Sequence, residues 1–249
     1  MNRRPAQSFA FHANAYALGA NFHRPAMCQI EALAATSLPI IGGHAQACAT
    51  DYCTPRLVRF RSAHSHVSGS FQDEHTATTQ AITTIVGLNI MDVITADRIT
   101  ARLTSEHNLA ESEGHILAIG SSFENLRIAG FTFNIVLRHE LLMDSKTHEQ
   151  LASKVESLRD GGRIANQKGK VVLCSLVEEI KTDFPMSEKD KKKHIVHIPH
   201  FGTISFAEVI SFEGLKTITM LRFDLGSPDG GTGTACGATS NGKPMPPIP

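Results

Sequence analysis

Apolar and polar residues alternate along much of this chain with a period of two, which is the period of a half-buried β-strand. The clearest case is ITADRITARLTSE at 94–106, where Ile99, Ala101 and Leu103 alternate with arginines and threonines. The segment FTFNIVL at 131–137 repeats the pattern. Both segments are therefore predicted to be strands with one face in the core and one face in water.

Further strands are predicted towards both ends of the chain. Phe9 and Phe11 would share one face of a strand near the N-terminus. HIVHIPHFGTISFAEVISF at 194–212 and KTITMLRFDL at 216–225 alternate around an intervening Glu-Gly, which favours a hairpin. An extended RLVRFRSAHSHVSGSF would place six side chains on one face, namely Val58, Phe60, Ser62, His64, His66 and Ser68.

Two segments of the chain have similar sequences. IVGLNIMDV at 85–93 aligns with FENLRIAGF at 123–131, and each keeps a leucine and an isoleucine two apart before a turn-forming residue. A repeated strand-turn-strand unit builds sandwiches and solenoids alike. The predicted fold is therefore mainly β, a sandwich or a short β-solenoid.

One amphipathic helix is predicted to be inserted in this β fold. THEQLASKVESLRDGG at 147–162 begins with Thr147 and Gln150, a plausible capping box, and ends with a Gly-Gly stop. Three apolar residues follow helical spacing, namely Leu151, Val155 and Leu158. We expect this helix to pack on a sheet through that narrow stripe.

The character of the sequence divides it into four parts. A β-rich region over 1–143 precedes a helical and charged insertion over 144–193, and a β-hairpin over 194–226 would complete the same domain. Within the insertion, VVLCSLVEEI at 171–180 is either a buried strand or the start of a second helix. The segment 227–249 is dominated by Gly, Pro, Ser and Thr, so its composition predicts a flexible tail.

The charge balance limits the classes of partner. Lys plus Arg number 24 and Asp plus Glu also number 24, so the formal net charge is zero. A nucleic-acid binder usually carries a basic surplus, and this chain has none. Zero net charge permits self-association, and protonation of the 13 histidines would make association or solubility sensitive to pH.

The cysteines do not form a metal motif. Five are present, with no CxxC pair, and the closest two are Cys48 and Cys53. A disulfide between these two is one interpretation and free thiols are the other, since nothing in the sequence indicates an oxidising compartment.

The N-terminal sequence does not predict export. MNRRPAQSFAFHANAYALGA mixes His12 and Asn14 into its apolar residues, whereas the core of a signal peptide is uninterrupted over about 7–15 residues. No window approaches the ~20 apolar residues of a membrane-spanning helix. The sequence therefore predicts a soluble protein without a membrane span, cytoplasmic by the absence of a signal peptide.

The His-x-His pair in RSAHSHVSGSF is the main candidate for metal chemistry. On a strand, His64 and His66 would point to the same side, which suits two ligands of one metal ion. In cupin-like barrels a carboxylate ligand follows within a few residues, but here the nearest acids, Asp73 and Glu74, come too late. The alternative interpretation is a plain strand with two histidines on one face.

A complete metal site would need a third ligand from a distant strand. His200 is the candidate with His64 and His66, and Glu208 is the alternative to it. The histidines at 194, 197 and 200 would share a face only in a helix, whereas the Ile-Val pair and the proline among them favour extended structure.

No catalytic residue and no cofactor site is predicted. The sequence has no G-x-S-x-G elbow, no Walker A loop and no G-x-G-x-x-G in a strand-to-helix context. Cys174 lies in VVLCSLV, a setting typical of an inert buried thiol. Glu178 and Glu179 are adjacent, so they would point apart.

VITADRITA at 93–101 and FENLRIAG at 123–130 carry a family resemblance. In this order they resemble the V-T-A-D-x-V-x-A and F-x-N-L-x-V-A-G strands of bacterial β-rich proteins of the choice-of-anchor type, and HIPHFGTISFAEV at 197–209 is similar to their later Pro-Gly segment. The resemblance implies β architecture and an extracellular or surface location, and it implies no catalytic residue. Neither an export signal nor a C-terminal anchor is predicted from this sequence, which argues against the surface location and leaves the expected β architecture intact.

Taken together, these patterns favour a non-enzymatic structural or interaction protein that self-associates into a homo-oligomer or filament. Its predicted partner is a second copy of itself, with neither nucleic acid nor a membrane span involved. The alternative is a metal-dependent enzyme, or a small-ligand binder, that uses the His-x-His pair.

Overall fold

The computed structural model describes residues 8–145, 147–157, 162–163, 171–188, 190–212 and 215–245. These residues form two antiparallel sheets that pack face to face. β-Strands predominate because alternating apolar residues can cover one face of a sheet and leave the other face polar. The predicted mainly β sandwich with a small helix is confirmed.

The strands are β1 (Ser8–Arg24), β2 (Cys28–Leu33), β3 (Thr36–Ser37), β4 (Gly43–Thr54), β5 (Val58–Phe71), β6 (Thr76–Ile90), β7 (Ile94–Asn108), β8 (His115–Leu117), β9 (Ser122–Glu124), β10 (Arg127–Ile128), β11 (Phe131–Leu137), β12 (Gly162–Arg163), β13 (Val171–Ser175), β14 (Val177–Thr182), β15 (Ile195–Ile198), β16 (Gly202–Phe212), β17 (Leu215–Leu225) and β18 (Gly230–Met245). The helices are α1 (Glu140–Met143), α2 (His148–Ser157) and a 3-10 turn (Asp190–Lys192).

The two sheets take their strands from different parts of the chain. The first sheet has the order β12-β13-β16-β17-β18-β1-β2, with β15 beside β16 and β3 beside β1. The second has the order β14-β11-β10-β7-β6-β5-β4, with β8 and β9 beside β7. The core lies between β1, β17 and β18 on one side and β5, β6 and β7 on the other. Its largest fully buried side chains include Phe22, Ile85, Ile99, Phe206 and Phe223.

Helix α2 begins as the sequence predicts. The Thr147 hydroxyl accepts a hydrogen bond from the Gln150 backbone N–H at 3.2 Å, and the Gln150 side chain accepts one from the Thr147 N–H at 3.3 Å. This reciprocal pair is the capping box. Leu151 and Val155 are buried and anchor the helix. The predicted Leu158 contact and the first glycine of the predicted stop lie outside the described residues.

The segment predicted to be an insertion also supplies strands to both sheets. VVLCSLVEEI forms β13 and β14, which settles the alternative between strand and helix in favour of strand. β13 pairs with β16 in the first sheet, and β14 pairs with β11 in the second. This segment therefore crosses from one layer of the sandwich to the other.

The prediction of a flexible tail over 227–249 is wrong for residues 230–245. These residues form β18, which lies between β1 and β17 in the interior of the first sheet. Its register pairs Gly233 with Ala20 on one side and with Phe223 on the other. A composition of Gly, Ser and Thr is typical of loops, but here it belongs to a central strand.

Glycines in β18 make room for aromatic rings of the neighbouring strands. A Cβ atom at Gly233 would collide with the ring of Phe223, and one at Gly237 would collide with the ring of Tyr16. The ring of Phe9 covers Gly242 in the same way. The glycines are therefore required by packing across the sheet.

In each sheet, a row of residues that crosses neighbouring strands reverses the order in which side chains point inward and outward along those strands. In the first sheet Ala207 and Cys236 have φ angles of 47° and 55°, and the register of β18 with both neighbouring strands skips Cys236 between its paired neighbours Ala235 and Gly237. Such a left-handed residue turns the following side chains to the other face, as a β-bulge does. In a strand that contains such a residue, every second side chain is buried before it. After it, the buried side chains are those that would otherwise have pointed outward.

The second sheet reverses its alternation in the same manner. Asp51 on β4 and Gly87 on β6 have φ angles of 50° and 69°, and Arg61 on β5 lies between them in register. A Cβ at Gly87 would press on the Arg61 side chain. On β5, Phe60 is buried before this row, whereas Ala63 and Val67 are buried after it.

Candidate functional site

The reversal at Arg61 places the His-x-His pair on the outer face of the second sheet. His64 is exposed and His66 is half-buried, while Ala63, Ser65 and Val67 point into the sandwich. The prediction that these histidines lie on the same face of the strand as the buried Phe60 is therefore wrong. They do share one face with each other, as an extended segment requires.

The neighbours of the two histidines on this face are neutral. His64 lies in register between Cys48 on β4 and Thr84 on β6, and His66 lies between Gln46 and Ile82. Neither histidine has an acidic partner in register on the adjacent strands, so the carboxylate that a cupin-like site requires is absent from these positions.

The candidate metal ligands His64, His66 and His200 are not brought together. His200 is exposed in the turn between β15 and β16, with a φ of 60°, and those strands belong to the first sheet. Across the part of the chain that the structure describes, no group of three or more His, Cys, Asp or Glu residues is placed to hold a metal ion.

Of the other two histidines of this region, His197 lies in extended structure, as predicted, and His194 lies in a bend. His197 is on β15 and is exposed. His194 precedes that strand and lies with its Nε2 atom 3.7 Å from Oε1 of Glu208. Glu208, the alternative third ligand, is therefore engaged within its own sheet.

Glu208 belongs to an ion pair on the first sheet. Nη2 of Arg222 donates a hydrogen bond to Oε1 at 3.0 Å, and Nε of Arg222 lies 2.9 Å from Oε2 with its N–H turned aside. Burial raises the pKa of Glu208, but the hydrogen bond from His194 and the Arg222 charge outweigh it and hold the pKa below the usual value. Glu208 is thus a charged structural carboxylate.

Strand β4 forms one edge of the second sheet. Eleven of its twelve residues pair with β5, and no other described strand pairs with it. Asp51 is its single Asp, Glu, Lys or Arg, and it contains no proline. The opposite edge, β14, is six residues long and carries Glu178, Glu179 and Lys181, which is how an edge is normally protected. We call the regular stretch 43–50 of β4 the β4 edge.

Exposed apolar side chains adjoin the β4 edge. Ile41 is 84% exposed and Ile40 is 61% exposed in the turn that leads into β4. Phe71, at the end of β5, is also exposed, and its ring packs 5.5 Å from that of Phe11. Unpaired backbone groups and apolar side chains therefore occur together at this corner of the sandwich.

A second candidate site lies inside the sandwich around Lys216. Lys216 is on the inner face of β17 with 0% exposure, and its Nζ atom has no hydrogen-bond partner. It lies in register between Ser211 on β16 and Ser240 on β18. A buried amine without a partner is rare, because desolvation of the group is not offset.

Residues from three other segments complete this site. Ser211 Oγ is 3.0 Å from Nδ1 of His148, at the start of α2, and the backbone N–H of His148 donates to Glu113 Oε2 at 2.8 Å. Cys174 of β13 is buried nearby and acts electrostatically on Lys216. We call these six residues the Lys216 cluster: Lys216, Ser211, Ser240, His148, Glu113 and Cys174.

Burial dominates the electrostatics of the cluster. It lowers the pKa of Lys216 below the usual value, although the charges of Glu113 and Cys174 oppose the change. Burial also raises the pKa of the Cys174 thiol to about 12, although Lys216 opposes it. Burial thus disfavours the charged form of both groups, and the raised pKa keeps the Cys174 thiol protonated at neutral pH, in agreement with the inert buried thiol that the sequence predicts.

Sequence reasoning missed the Lys216 cluster, although one signal was present. In KTITM, Lys216 precedes Ile218 by two residues and Met220 by four, so an extended strand places all three side chains on the same face. A charged residue therefore occupies a position where the alternating pattern predicts an apolar one. Its neighbours Glu113 and His148 are distant in the chain, and no local pattern links them to β17.

The five cysteines are free. Cys48 and Cys53 lie five residues apart on β4, which in an extended strand separates them by about 17 Å. A disulfide needs Cα atoms within about 7 Å. The interpretation of a Cys48–Cys53 bridge is therefore wrong, and the alternative of free thiols is confirmed.

Thiol labelling should separate these cysteines into two groups. Under native conditions at neutral pH we expect a maleimide to label the exposed Cys48 and Cys53. Cys174 and Cys236 should stay unlabelled until the protein unfolds, because both are buried and burial raises the pKa of each thiol. Peptide mass spectrometry before and after addition of denaturant gives the measurement. Rapid native labelling of Cys236 would contradict the described packing.

The described residues form an antiparallel two-sheet sandwich with an unprotected edge at β4 and a buried polar cluster around Lys216. The chain matches the model of the family described as "Domain of unknown function (DUF8256)" over residues 9–161 and 145–212. These matches span most of the chain, so the protein belongs to that family. No curated protein and no solved structure matches the chain.

The helices in the described ranges are short. None of them combines the length and the apolar character that crossing a membrane requires.

Proposed function

We propose that this protein is a structural or interaction protein that self-associates through the β4 edge. The observation that carries the proposal is a long edge strand with unpaired backbone groups, a single charged side chain and no proline. Such an edge is a template for another strand unless charge, proline or a covering segment blocks it.

A second copy of the chain fits this edge. The inward residues of the β4 edge are Ala45, Ala47 and Ala49, whose small side chains let a second sandwich continue the sheet. The single carboxylate, Asp51, lies beyond one end of the edge. In an antiparallel pair of β4 edges the two Asp51 residues would therefore lie at opposite ends, where they do not repel.

The symmetry of this contact limits the assembly. When an edge pairs antiparallel with its own copy, the interface is isologous and each β4 is used once. The product is a closed dimer with a continuous sheet through both subunits. The exposed Ile40 and Ile41 beside each edge would add apolar contact area.

Light scattering coupled to size-exclusion chromatography tests the proposal. We expect the wild-type mass to rise from monomer to dimer between about 1 and about 100 µM, a range typical of modest interfaces. Ala47→Lys should hold the protein as a monomer over this range, because an inward lysine at an edge can reach water only while the edge is free.

Ala32→Lys is the matched control. It places the same substitution on β2, an edge strand of the other sheet, and should dimerise as the wild type does. Hydrogen exchange gives a readout that needs no variant, since amides of 43–50 should become protected as the concentration rises. A wild-type chain that stays monomeric at about 100 µM, or an Ala32→Lys variant that dissociates equally, would sink the proposal.

A further inference from the structure

We propose that Lys216 is a nucleophile that condenses with small aldehydes, so that the Lys216 cluster is a covalent binding site for carbonyl compounds. The starting observation is the position of the amine: Lys216 is completely buried, and Nζ has no hydrogen-bond partner. A lysine retained in this state forgoes its solvation without gaining a structural contact at Nζ.

The surroundings of Lys216 suit an amine that reacts as the free base. The neutral form carries the lone pair that attacks a carbonyl carbon, and desolvation in a protein interior favours that form. The hydroxyl groups of Ser211 and Ser240 flank Lys216 in register on either side. Ser211 Oγ is engaged with Nδ1 of His148, and Ser240 Oγ lies 2.7 Å from Oγ1 of Thr79. Either hydroxyl would therefore have to exchange its present partner to donate to the oxygen of a bound carbonyl compound.

Glu113 is the group that would move protons. It is half-buried, and it is held by the backbone N–H of His148, which donates to Oε2 at 2.8 Å. Gly114, next in the chain, lies against Ser105 and His107 so closely that a Cβ would crowd both side chains. The loop between β7 and β8 is therefore held against the sandwich, and the negative charge of Glu113 acts on Lys216.

The condensation balances without an oxidant or reductant. The Nζ lone pair forms a bond to the carbonyl carbon, and the carbon–oxygen π pair moves to oxygen, which takes a proton and gives a carbinolamine. The carbon–oxygen bond then breaks, and the oxygen leaves as water with a second proton. Nζ loses both of its hydrogens, and the Glu113 carboxyl can accept a proton from nitrogen and deliver one to oxygen.

A carbonyl compound would have to reach the amine from the side of Glu113. Lys216, Ser211 and Ser240 are all completely buried, whereas Glu113 reaches the surface of the sandwich. His148 borders the same point from the start of α2. A ligand of a few carbon atoms is therefore the class that this site would take, and larger aldehydes would be excluded.

Reductive trapping tests the inference on the wild-type protein. Propanal and sodium cyanoborohydride at pH 7 would convert the imine to a stable propyl-lysine, and peptide mass spectrometry would locate it. An exposed lysine with a pKa near 10.4 is almost entirely protonated at this pH. We therefore expect Lys216 to be modified at least about tenfold faster than Lys181, whose side chain is exposed on β14.

Glu113→Gln separates chemistry from simple exposure. It keeps the size of the side chain, and we expect it to slow trapping at Lys216 by about tenfold or more while Lys181 is unaffected. Circular dichroism under the same conditions confirms that each protein is folded. Modification of Lys216 only after unfolding, or no faster than Lys181, would overturn the inference, and an unchanged rate in Glu113→Gln would overturn the role of Glu113.

Discussion

Replacement of Gly233 by alanine is expected to lower the free energy of unfolding by about 2–3 kcal/mol, a cost typical of overpacking in a core. The new Cβ would meet the ring of Phe223 and the Cβ of Ala20. Phe223 is completely buried between the sheets, so its ring has no room to withdraw. Urea unfolding followed by circular dichroism gives the measurement.

Gly19→Ala is the matched control for this prediction. Gly19 lies on β1 of the same sheet, and the nearest atoms to a Cβ there are 3.8 Å away. We expect a change within about 0.5 kcal/mol. In a flexible tail, Gly233→Ala would be neutral, because the residue would be equally unordered in the folded and the unfolded protein. That outcome would contradict the central position of β18.

Alternation and capping were sufficient to predict several elements. β7 and β11 follow from their strict period of two, and the start of α2 follows from Thr147 and Gln150. These signals are local: each depends on residues within a few positions of one another. The mainly β class and the single longer helix were therefore accessible from the sequence.

The face that a strand presents was less accessible, because one residue can reverse it. Asp51 and Cys236 adopt left-handed backbone angles without being glycines, and nothing in their local sequence announces this. Because the alternation reverses beside Arg61, His64 and His66 lie on the outer face of the sheet and not on the same face as the buried Phe60. A period-of-two pattern cannot by itself locate such a row.

Composition misled where packing across the sheet decided the structure. Gly233 and Gly237 suggest a loop when considered alone, but Phe223 and Tyr16 on adjacent strands occupy the space that their side chains would fill. Those aromatic partners come from β17 and β1. The Lys216 cluster shows the same limit, since its members meet through tertiary packing of segments far apart in the chain.

Replacement of Lys216 by methionine is expected to raise the free energy of unfolding by about 1–3 kcal/mol at neutral pH, the usual cost of a buried polar group without a partner. Methionine has a similar length and flexibility and carries no polar hydrogen-bond donor. The substitution therefore keeps the packing between Ser211 and Ser240 and removes the desolvated amine.

The direction of the pKa shift sets the pH dependence of this gain. Burial holds the pKa of Lys216 in the folded protein below the value of about 10.4 in the unfolded chain. Between these two values the unfolded chain binds more protons, so the wild type becomes more stable as the pH rises through that window. The proton-linked part of the Lys216→Met advantage is therefore full below the folded pKa, shrinks as the pH rises and disappears above about pH 10.4, whereas the cost of the neutral amine without a hydrogen-bond partner remains.

Urea unfolding of both proteins at pH 7 and at pH 10 measures this difference, and Lys181→Met is the control. The Lys181 side chain is exposed, so its replacement should change the stability by less than about 0.5 kcal/mol at either pH. A destabilised Lys216→Met protein would mean that the amine contributes favourable contacts to the fold. A stabilised one would mean that the chain retains Lys216 at the expense of stability, as is common for residues kept for their chemistry.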